Sequence, residues 1–501
     1  MHLHIDQYAH LDSPIHRWNP RIKFVSLFVL IIAFSLVQDL RLVPIMLVAT
    51  VIVFAISRLP FTFLLSRLRY PGIFLGSLIV ILPLFTGETE IFRLGFLSIQ
   101  AEGVTYMFLV VSRFICILTI SLVIFGTSPF LETVITLRSL GIPSLIADMM
   151  MLTVRYIFEI ADSLTRMQRA MTMRGFSMKK FDMNSATQIA RLMGSLLIRS
   201  YEQAERIYKA MRLRGYGASV TDKEKVMQST SRYQSGATAL EVNDIHFAYP
   251  NRPAILNGVS FTVKHGERVG LIGPNGAGKT SVFLSTSGII KPSQGAVNIY
   301  GDAIVPGQFN PSIGLVFQNS DDQLFSPTVR EDIAFGPANL GMNEDEIGQR
   351  VEEALTLTGT MHLADRTPHH LSGGEKRMVA IASVLAMQPG LVLYDEPDAN
   401  LDMRARRRLI QFLQDAPHTL ILASHDLEMV LEVCDRVILL DGGKIITQGD
   451  PKDIMSDVEL MEAHGLEKPH SLQAHIHTNS DDPPHYHPVD AHKDMPETPK
   501  V

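Results

Sequence analysis

Cysteine and tryptophan are scarce in this chain of 501 residues, which contains two cysteines and one tryptophan. Cys116 and Cys434 lie far apart in the sequence, so neither a disulfide framework nor a cysteine-based zinc site can be built. Charged residues make up only 19% of the chain and apolar residues 46%, which excludes a mostly disordered protein or a coiled coil. The length exceeds what one hydrophobic core usually serves, so we expect several domains, part of them in lipid.

The two halves of the chain differ in charge. Residues 1–225 hold 24 lysines and arginines against 15 aspartates and glutamates, whereas residues 226–501 hold 21 against 36. Neither half has a dense basic patch with interleaved aromatic residues, so we predict no nucleic acid partner. The positive excess of the first half instead favours contact with anionic membrane lipid.

Four apolar stretches in the first half are candidate membrane helices, namely residues 24–37, 42–57, 71–86 and 103–127. The first has 14 residues and rises about 21 Å against a hydrocarbon core of about 30 Å. It therefore needs its flanks, with Lys23 reaching the interface, or forms a shallow hairpin with the second stretch. Basic residues before the first stretch and after the second predict that these loops are cytoplasmic. We expect a multi-pass protein of the cell membrane whose second half is cytoplasmic.

A basic, methionine-rich amphipathic pattern over residues 129–217 is too charged to span a membrane and predicts helices. Two of these helices end in related segments, Met173–Phe176 and Leu213–Tyr216, in which a glycine is typical of a helix stop. Two capped surface helices are the simpler interpretation, and the repetition favours a shared role. A planar cation at such a helix end can pair with carboxylates of an acidic domain.

Short β-type runs alternate with helical ones after a linker rich in serine, threonine, lysine and glutamine, which predicts a soluble α/β domain. The fold class is therefore multidomain, with an all-α membrane domain and amphipathic coupling helices before an α/β domain. We place the membrane and coupling domain at residues 1–220, the linker at 221–238 and the α/β domain at 239–466. Residues 467–501 are rich in proline and histidine, and we expect this tail to be disordered.

A glycine-rich loop follows a predicted buried strand over residues 268–272 and leads into a helical pattern. In such a loop the backbone N–H groups converge on phosphates, Lys279 neutralises them, and Thr280 offers a hydroxyl to Mg²⁺. A chance turn is the alternative, but the strand before and the helix after favour a phosphate-binding P-loop. The loop and the start of its helix comprise Gly273, Pro274, Asn275, Gly276, Ala277, Gly278, Lys279, Thr280 and Ser281.

Two acidic residues, Asp395 and Glu396, end a second predicted strand over residues 391–395. Asp395 is predicted to hold Mg²⁺ through water, and Glu396 to orient and deprotonate an attacking water. A solvated acidic turn is the alternative interpretation. Between the two motifs, a run of small residues before the helical pattern 376–387 predicts a second anion-binding helix start. That run is Ser372, Gly373, Gly374 and Glu375.

These motifs, in this order, resemble those of the ATP-binding-cassette (ABC) ATPases over residues 239–466. The resemblance implies that ATP and Mg²⁺ are the cofactors and that ATP lies between the P-loop of one cassette and the signature segment 372–375 of a second. It implies catalytic roles for Glu396, His425 and Gln318, with Mg²⁺ held by Thr280, Gln318 and Asp395. It also implies that Tyr249 stacks on adenine and that Asp402 belongs to the D-loop.

Two further resemblances indicate which transporters are related. Residues 318–325 and 330–336 resemble the Q-loop region of energy-coupling-factor (ECF) transporter ATPases, although Ser320 stands where relatives more often have proline. Residues 5–217 resemble the transmembrane T component of the cobalt and nickel type, through the segments 5–9 and 13–21 and the two Arg-Gly helix ends. Relatives generally have alanine before each Arg-Gly. The implied coupling residues are Arg174, Gly175, Arg214 and Gly215.

The resemblance implies an energising subunit of an ECF importer that takes up cobalt or nickel captured by a separate membrane component. It also implies a second ATPase, either a separate chain or another copy of this one. Uptake of a vitamin or other micronutrient, an export half-transporter and a regulatory cassette without pumping are the alternatives. In the tail, His475, His477, His485 and His487 have a spacing that can bind transition metals, or they belong to a solvated tail of biased composition.

Overall fold

The computed structural model describes residues 8, 11–85, 89–94, 97–142, 144–174, 183–218 and 237–473. The chain divides into two compact units, Met1–Gln188 and Ile189–Val501. This division falls inside one long helix, Met183–Leu213, whereas we placed the first domain boundary at residue 220. Most of that helix therefore belongs to the same unit as the α/β domain.

The first unit is built of helices, apart from one hairpin in the residues that the structure describes. The helices are α1 Pro20–Ser35, α2 Val43–Ser57, α3 Phe61–Phe85, α4 Ala101–Gly126, α5 Phe130–Ser139, α6 Ser144–Met173 and the start of α7 Met183–Leu213. A short antiparallel hairpin of β1 Glu90–Leu94 and β2 Leu97–Gln100 lies between α3 and α4. Helix α4 is central, because its buried face packs with side chains of α1 and α2, including Leu27, Met46, Cys116, Ile120 and Val123.

Two helical segments described in the structure are long and apolar enough to cross a membrane, Leu40–Ser57 and Ala101–Gly126. Helix α3 gives a third candidate if its halves Phe61–Arg69 and Pro71–Phe85, bent by 64°, form one span. Proline lacks an N–H donor and clashes with the preceding turn, which explains a bend at Pro71. Helix α1 has 16 residues and rises only about 24 Å. By length and composition, two of the four predicted stretches, or three with the bent α3, could therefore cross a membrane.

Lys23 differs from its predicted position at the membrane interface. Its side chain is buried, and Nζ donates a hydrogen bond of 2.9 Å to the carbonyl of Thr127, just after α4 ends. The carbonyls at a helix C-terminus have no intrahelical donors, so a cation there satisfies one of them. Lys23 thus joins α1 to the end of α4 within this unit.

The second unit contains two sheets. A six-stranded sheet has the order β12-β11-β5-β10-β9-β8 and is parallel except for β12, and an antiparallel sheet has the order β4-β3-β6-β7. The strands are β3 Thr238–Ala248, β4 Ala254–Lys264, β5 Arg268–Ile272, β6 Gln294–Ile299, β7 Asp302–Ala303, β8 Ile313–Val316, β9 Leu391–Asp395, β10 Thr419–Ala423, β11 Arg436–Asp441 and β12 Lys444–Gly449.

Helices flank the parallel sheet and follow its strands. They are α8 Lys279–Thr286, α9 Ser320–Gln323, α10 Val329–Asn339, α11 Glu344–Leu357, α12 Gly373–Leu385, α13 Met403–Gln414, α14 Leu427–Val433, α15 Pro451–Ser456 and α16 Val458–Ala463, with short 3₁₀ helices Met361–Leu363, Pro368–His370 and His470–Leu472. Strands β9 and β10 are buried at every residue, as expected for parallel strands covered on both faces. Because β5, β10 and β9 are neighbours, the segments after them meet at one edge of the sheet, where ligands of such folds bind.

The cassette extends past residue 466, where we placed its end. The Ser471 N–H and hydroxyl donate to the Glu428 carboxylate at 3.0 and 2.6 Å, and Leu472 packs on the core beneath α13 and α14. Residues 467–473 of the expected disordered tail are therefore folded against the cassette. The histidines at 475, 477, 485 and 487 lie outside the described residues.

The pH dependence of cassette stability should reflect His418. Its Nε2 lies 2.9 Å from the Tyr394 hydroxyl, and desolvation lowers the pKa of the ring from 6.5 to about 4. Between these pH values the unfolded chain binds more protons, so the stability from neutral His418 is present above pH 6.5 and is lost as the pH falls toward 4. We expect the thermal midpoint of the full chain to fall over this range, and the fall to be shallower in His418→Gln. Parallel pH profiles would contradict this role.

Candidate functional site

The loop after β5 has a backbone that requires glycine. Gly273 has φ +154°, and a Cβ built there would lie 2.0 Å from the carbonyl oxygen of Leu440. Gly278 has φ +108° and precedes the first residue of α8. The loop therefore passes close to the neighbouring backbone and leads directly into a helix N-terminus, which is the geometry that binds phosphate groups.

Lys279 is buried at the start of α8. Its Nζ donates to the carbonyls of Gly273 and Pro274 at 2.7 and 3.2 Å and lies 3.5 Å from His425 Nε2. Desolvation lowers the pKa of this ammonium, while the nearby carboxylates of Asp395 and Glu396 oppose that shift. The ammonium is thus held inside the loop, at the position where a point charge can neutralise bound phosphates.

Thr280 and Asp395 form the pair of oxygen donors that we predicted for Mg²⁺. The Thr280 hydroxyl bonds the Asp395 carboxylate, and burial raises the pKa of that carboxyl to about 6. Among the described residues no group of three or more histidine, cysteine, aspartate or glutamate side chains could hold a metal by itself. Mg²⁺ usually takes one or two protein oxygens together with substrate phosphates and water. The pair therefore fits Mg²⁺ that arrives with a nucleotide.

Glu396 lies at the centre of the predicted catalytic group. Its Oε2 accepts a hydrogen bond of 2.5 Å from Gln318 Nε2, and its Oε1 lies 3.0 Å from His425 Nε2. The backbone of Glu396 has φ +44°, and its N–H is bonded to Ala423 on β10 at 2.8 Å. A non-glycine residue in this region of φ is strained, and such strain concentrates at functional sites. The structure therefore brings together the three predicted catalytic side chains, from segments 78 and 29 residues apart.

The signature segment forms the N-terminus of α12. The Ser372 hydroxyl is the N-cap and accepts from the Glu375 N–H at 3.4 Å, while Glu375 Oε2 accepts from the Ser372 N–H at 2.7 Å, which makes a capping box. The Ser372 hydroxyl also donates to Glu375 Oε2 at 2.8 Å. A Cβ on Gly374 would lie 2.6 Å from the Ala405 Cβ, so the helix start packs tightly on α13. Gly373 has no such neighbour, since the nearest atom to its Cβ position is 3.8 Å away.

Asp402 and Tyr249 are the residues predicted for the D-loop and for stacking on adenine. Asp402 caps α13 by accepting from the Ala405 N–H at 2.8 Å. Tyr249 is exposed, and its ring meets Phe247 edge-on with centroids 4.8 Å apart. An exposed aromatic ring held by a second ring can stack on a base.

Arg377 was not predicted as a site residue. It is buried in α12, and its two Nη atoms donate to the carbonyls of Phe317 and Gln318, each at 2.6 Å. Burial lowers the pKa of its guanidinium to about 10. The pattern of α12 contained a signal, because Arg377 precedes Ile381 and Val384 by four and seven residues and so lies on the apolar face.

Arg214, at the end of α7, is buried in a groove of the same unit. Its Nη2 lies 2.6 Å from Asp332 Oδ1, and these side chains are 2% and 0% exposed. Nη1 donates to the Gln323 carbonyl at 3.0 Å. The guanidinium lies over the rings of Phe325 and Phe335, at 4.8 and 5.3 Å from their centroids. Nη2 also donates to the Asp332 carbonyl, while Nε is buried without a hydrogen-bond partner. One arginine is thus held by a carboxylate, two carbonyls and two aromatic faces.

Residues on either side of Arg214 secure this contact. Asn339 Nδ2 donates to the Arg214 carbonyl at 3.1 Å, and the Tyr216 ring stacks on Phe335. Gly215 has φ +77° with the Asn339 Cβ 3.3 Å from its Cβ position, so a larger residue would be strained and crowded there. About two turns before the end of α7, the Arg206 Nε donates to the Asp322 carboxylate at 2.9 Å.

Asp332 lies in the motif at residues 330–336, and the motif alone does not show which distant residue its members contact. Arg174, the second predicted coupling arginine, belongs to the other unit and is exposed at the end of α6. Its N–H bonds the carbonyl of Met171 at 3.0 Å. Gly175 lies outside the described residues.

Comparisons with known proteins identify two families in the chain. The cobalt transport protein family CbiQ matches residues 12–225, and the ABC transporter family matches residues 256–399. An ABC transporter ATP-binding protein of Synechocystis is 51% identical over 235 residues, covering 47% of this chain and 83% of the relative. The energy-coupling factor transporter ATP-binding protein EcfA of Methanocaldococcus jannaschii is 44% identical over 238 residues, covering 46% and 85%.

A solved structure, cbiO1 from Clostridium perfringens, described as part of the ABC transporter complex cbiONQ, aligns at 36% identity with a TM-score of 0.42. The alignment covers 45% of this chain and 94% of that one.

The fold and the site define the second half as an ABC ATPase of the transporter class, which binds and hydrolyses ATP. The first half is a CbiQ domain of a membrane protein. The chain belongs to the family of energy-coupling factor transporter ATP-binding proteins, with a CbiQ domain joined to the ATPase in one polypeptide. The predicted family, fold class and enzyme class are confirmed.

Proposed function

We propose that this chain is the energising subunit of an importer that couples ATP hydrolysis to the uptake of cobalt or nickel. A separate membrane component would capture the metal. The observation that supports the coupling is the buried ion pair of Arg214 with Asp332. Arg214 lies within the part matched by CbiQ, and Asp332 belongs to the ATPase. The match to CbiQ, a family of cobalt transport proteins, supports a divalent metal as cargo.

The hydrolytic step follows from the contacts of Glu396. Its carboxylate orients a water in line with the γ-phosphorus and takes a proton as that oxygen bonds to phosphorus and the bond to the leaving diphosphate breaks. His425 and Gln318 hold the two carboxylate oxygens, which fixes the direction of this base. Lys279 binds the phosphates. Thr280, Asp395 and Gln318 would hold Mg²⁺, which neutralises charge on the phosphate oxygens.

A second ATPase is part of the proposal. Ser372, Gly373, Gly374 and Glu375 would act on nucleotide bound to that partner, and the partner's equivalent segment on nucleotide bound here. Tyr249 would stack on adenine, and Asp402 would lie at the junction of the two cassettes. Arg174 and Gly175 would serve the second ATPase as Arg214 and Gly215 serve this one. The chain would be multi-pass in the cell membrane, in contact with lipid, with its ATPase domain cytoplasmic.

Uptake assays test the proposed cargo. Cells that hold the chain with all of its membrane partners should accumulate labelled cobalt or nickel only when the chain is present. Accumulation of a labelled vitamin without either metal would replace the metal assignment by a micronutrient importer. A matched strain with Lys279→Ala separates transport by this ATPase from background uptake, because the phosphate-binding ammonium is lost.

Deleting residues 474–501 should leave ATP hydrolysis within about twofold of the parent chain, since the cassette core in the part of the chain that the structure describes is made without them, with Leu472 as its last member. We propose that His475, His477, His485 and His487 bind cobalt or nickel loosely. The deletion should therefore weaken retention of the full chain on immobilised Ni²⁺. Equal retention of both proteins would show that the tail histidines do not bind the metal. Total loss of hydrolysis would show that the ATPase needs the tail.

A further inference from the structure

Gln323, the last residue of α9, is buried with its polar groups in use. Its Oε1 accepts from the Phe317 N–H at 3.1 Å, and its Nε2 donates to the Ala380 carbonyl at 2.8 Å and to the Ser383 hydroxyl at 3.2 Å. An N–H must meet the oxygen and a carbonyl must meet the nitrogen, so these partners fix the orientation of the amide. Gln323 therefore joins the strand end before Gln318 to helix α12.

The carbonyl of the same residue accepts from Arg214 Nη1 at 3.0 Å. The backbone of Gln323 thus binds Arg214 at the end of α7, and its side chain binds Phe317, the residue before Gln318. No other described hydrogen bond of Arg214 reaches a residue that itself bonds the Phe317–Gln318 segment.

The Phe317–Gln318 segment is held from its other side by Arg377. The two Nη atoms bind the two consecutive carbonyls, so the guanidinium fixes both peptide planes. Arg377, Ala380 and Ser383 all belong to α12, which begins at the signature segment. The segment is therefore clamped between Gln323 and a single helix, and the Gln318 side chain extends from it to Glu396 Oε2.

We propose that Gln323 and Arg377 are positioning residues that transmit the docking of Arg214 to Glu396. When Arg214 is seated, the Gln323 carbonyl and amide hold Phe317, Arg377 holds Gln318, and the Gln318 amide aims the Glu396 carboxylate. This inference deepens the proposed function and rests on it, because it assigns a regulatory input to the same catalytic base. Withdrawal of the helix end would loosen the clamp and leave the carboxylate misdirected.

Burying the polar side chains of Gln323 and Arg377 costs free energy, which is explained if they are needed to orient the Q-loop backbone. A buried amide and a buried guanidinium both require partners, and a methionine would fill a similar volume with no such requirement. The two Nη atoms of Arg377 donate to two carbonyls, and its Nε is buried without a hydrogen-bond partner. The gain from such an arrangement is a fixed Q-loop backbone.

The first test replaces Gln323 by methionine in the full chain, purified with its partner proteins. We expect kcat for ATP hydrolysis to fall about tenfold, as for a misplaced base, while KM for ATP changes less than about twofold. KM should stay nearly constant while kcat falls, because the substitution leaves the phosphate-binding groups around Lys279 unchanged. Gln411→Met, at an exposed position of α13, is the matched control and should behave as the parent.

A double-mutant cycle separates transmission from simple loss of packing. Arg214→Ala should also lower kcat about tenfold, and the variant that combines it with Gln323→Met should lose no more than either alone, because the two act in series. Independent effects, which would multiply to about a hundredfold, would overturn the proposal, as would an unchanged kcat in Gln323→Met.

A second variant covers a failure of Gln323→Met to fold, judged from the thermal midpoint. Arg377→Lys keeps the charge but cannot bind two carbonyls in a plane, so it should give the same kcat loss at constant KM, again in series with Arg214→Ala. A multiplicative effect would overturn the proposal. If the kcat effects are non-additive but the complex takes up neither cobalt nor nickel, the positioning role of Gln323 and Arg377 stands and the proposed cargo is wrong. If the complex takes up metal but the effects multiply, the proposed cargo stands and the positioning role is wrong.

Discussion

Glu396→Gln should abolish ATP hydrolysis and uptake together while ATP remains bound. The carboxylate is the only acidic side chain bonded to both Gln318 and His425 among the described residues, and an amide cannot take the proton of the attacking water. A positioned general base contributes on the order of 10²–10⁴ in rate, so the turnover should fall at least a hundredfold. Phosphate release measures hydrolysis, and retention of labelled ATP measures binding.

The control for this variant is Glu459→Gln, which makes the same chemical change at an exposed position of helix Val458–Ala463. It should leave both hydrolysis and uptake unchanged. Uptake that continues in Glu396→Gln at the parental rate would contradict pumping and would favour a regulatory cassette. Loss of ATP binding in Glu396→Gln would show that the residue supports the site and not only the reaction.

Arg214→Glu should uncouple the transporter. The new carboxylate would face Asp332, whose Oδ2 already accepts from the N–H groups of Phe325 and Ser326, each at 2.7 Å. Two buried like charges without a cation cost several kcal/mol, so we expect the helix end to leave its site. Uptake should fall on the order of a hundredfold, whereas hydrolysis should fall by about tenfold at most, because the P-loop is not altered.

Two further variants make this result interpretable. Arg199→Glu reverses a charge at an exposed position of the same helix and should retain uptake. Arg214→Lys keeps the charge but loses the planar fork and its stacking on Phe325 and Phe335, so an intermediate loss is expected. Full uptake in Arg214→Glu would show that the buried ion pair with Asp332 does not couple the two activities.

The nucleotide-binding part of the site was predictable because its chemistry is local. The P-loop follows its strand directly, Asp395 and Glu396 end another strand, and parallel strands bring their carboxyl ends to one edge. The contacts of Arg214 were not predictable, since Asp332 lies 118 residues away and the motif that contains it gives no partner. Gln323 and Arg377 were missed for the same reason: their importance lies in the tertiary contacts that satisfy them.

The membrane part shows the limit of an apolar pattern. Hydropathy located α2 and α4, but it did not show the bend of α3 near Pro71 or that Lys23 is used inside the protein on Thr127. A run of apolar residues fixes a helix length and a preference for lipid. It does not fix where a proline bends that helix or which carbonyl a lysine meets.

The ratio of metal ions transported to ATP molecules hydrolysed, measured in one preparation of proteoliposomes, tests the coupling most directly. The complete complex with the parent chain should give a constant, non-zero ratio for cobalt or nickel. The complex with Arg214→Glu should continue to hydrolyse ATP with a ratio near zero. The same ratio in both preparations would contradict the account, because motion would then reach the membrane without the helix end seated against Asp332.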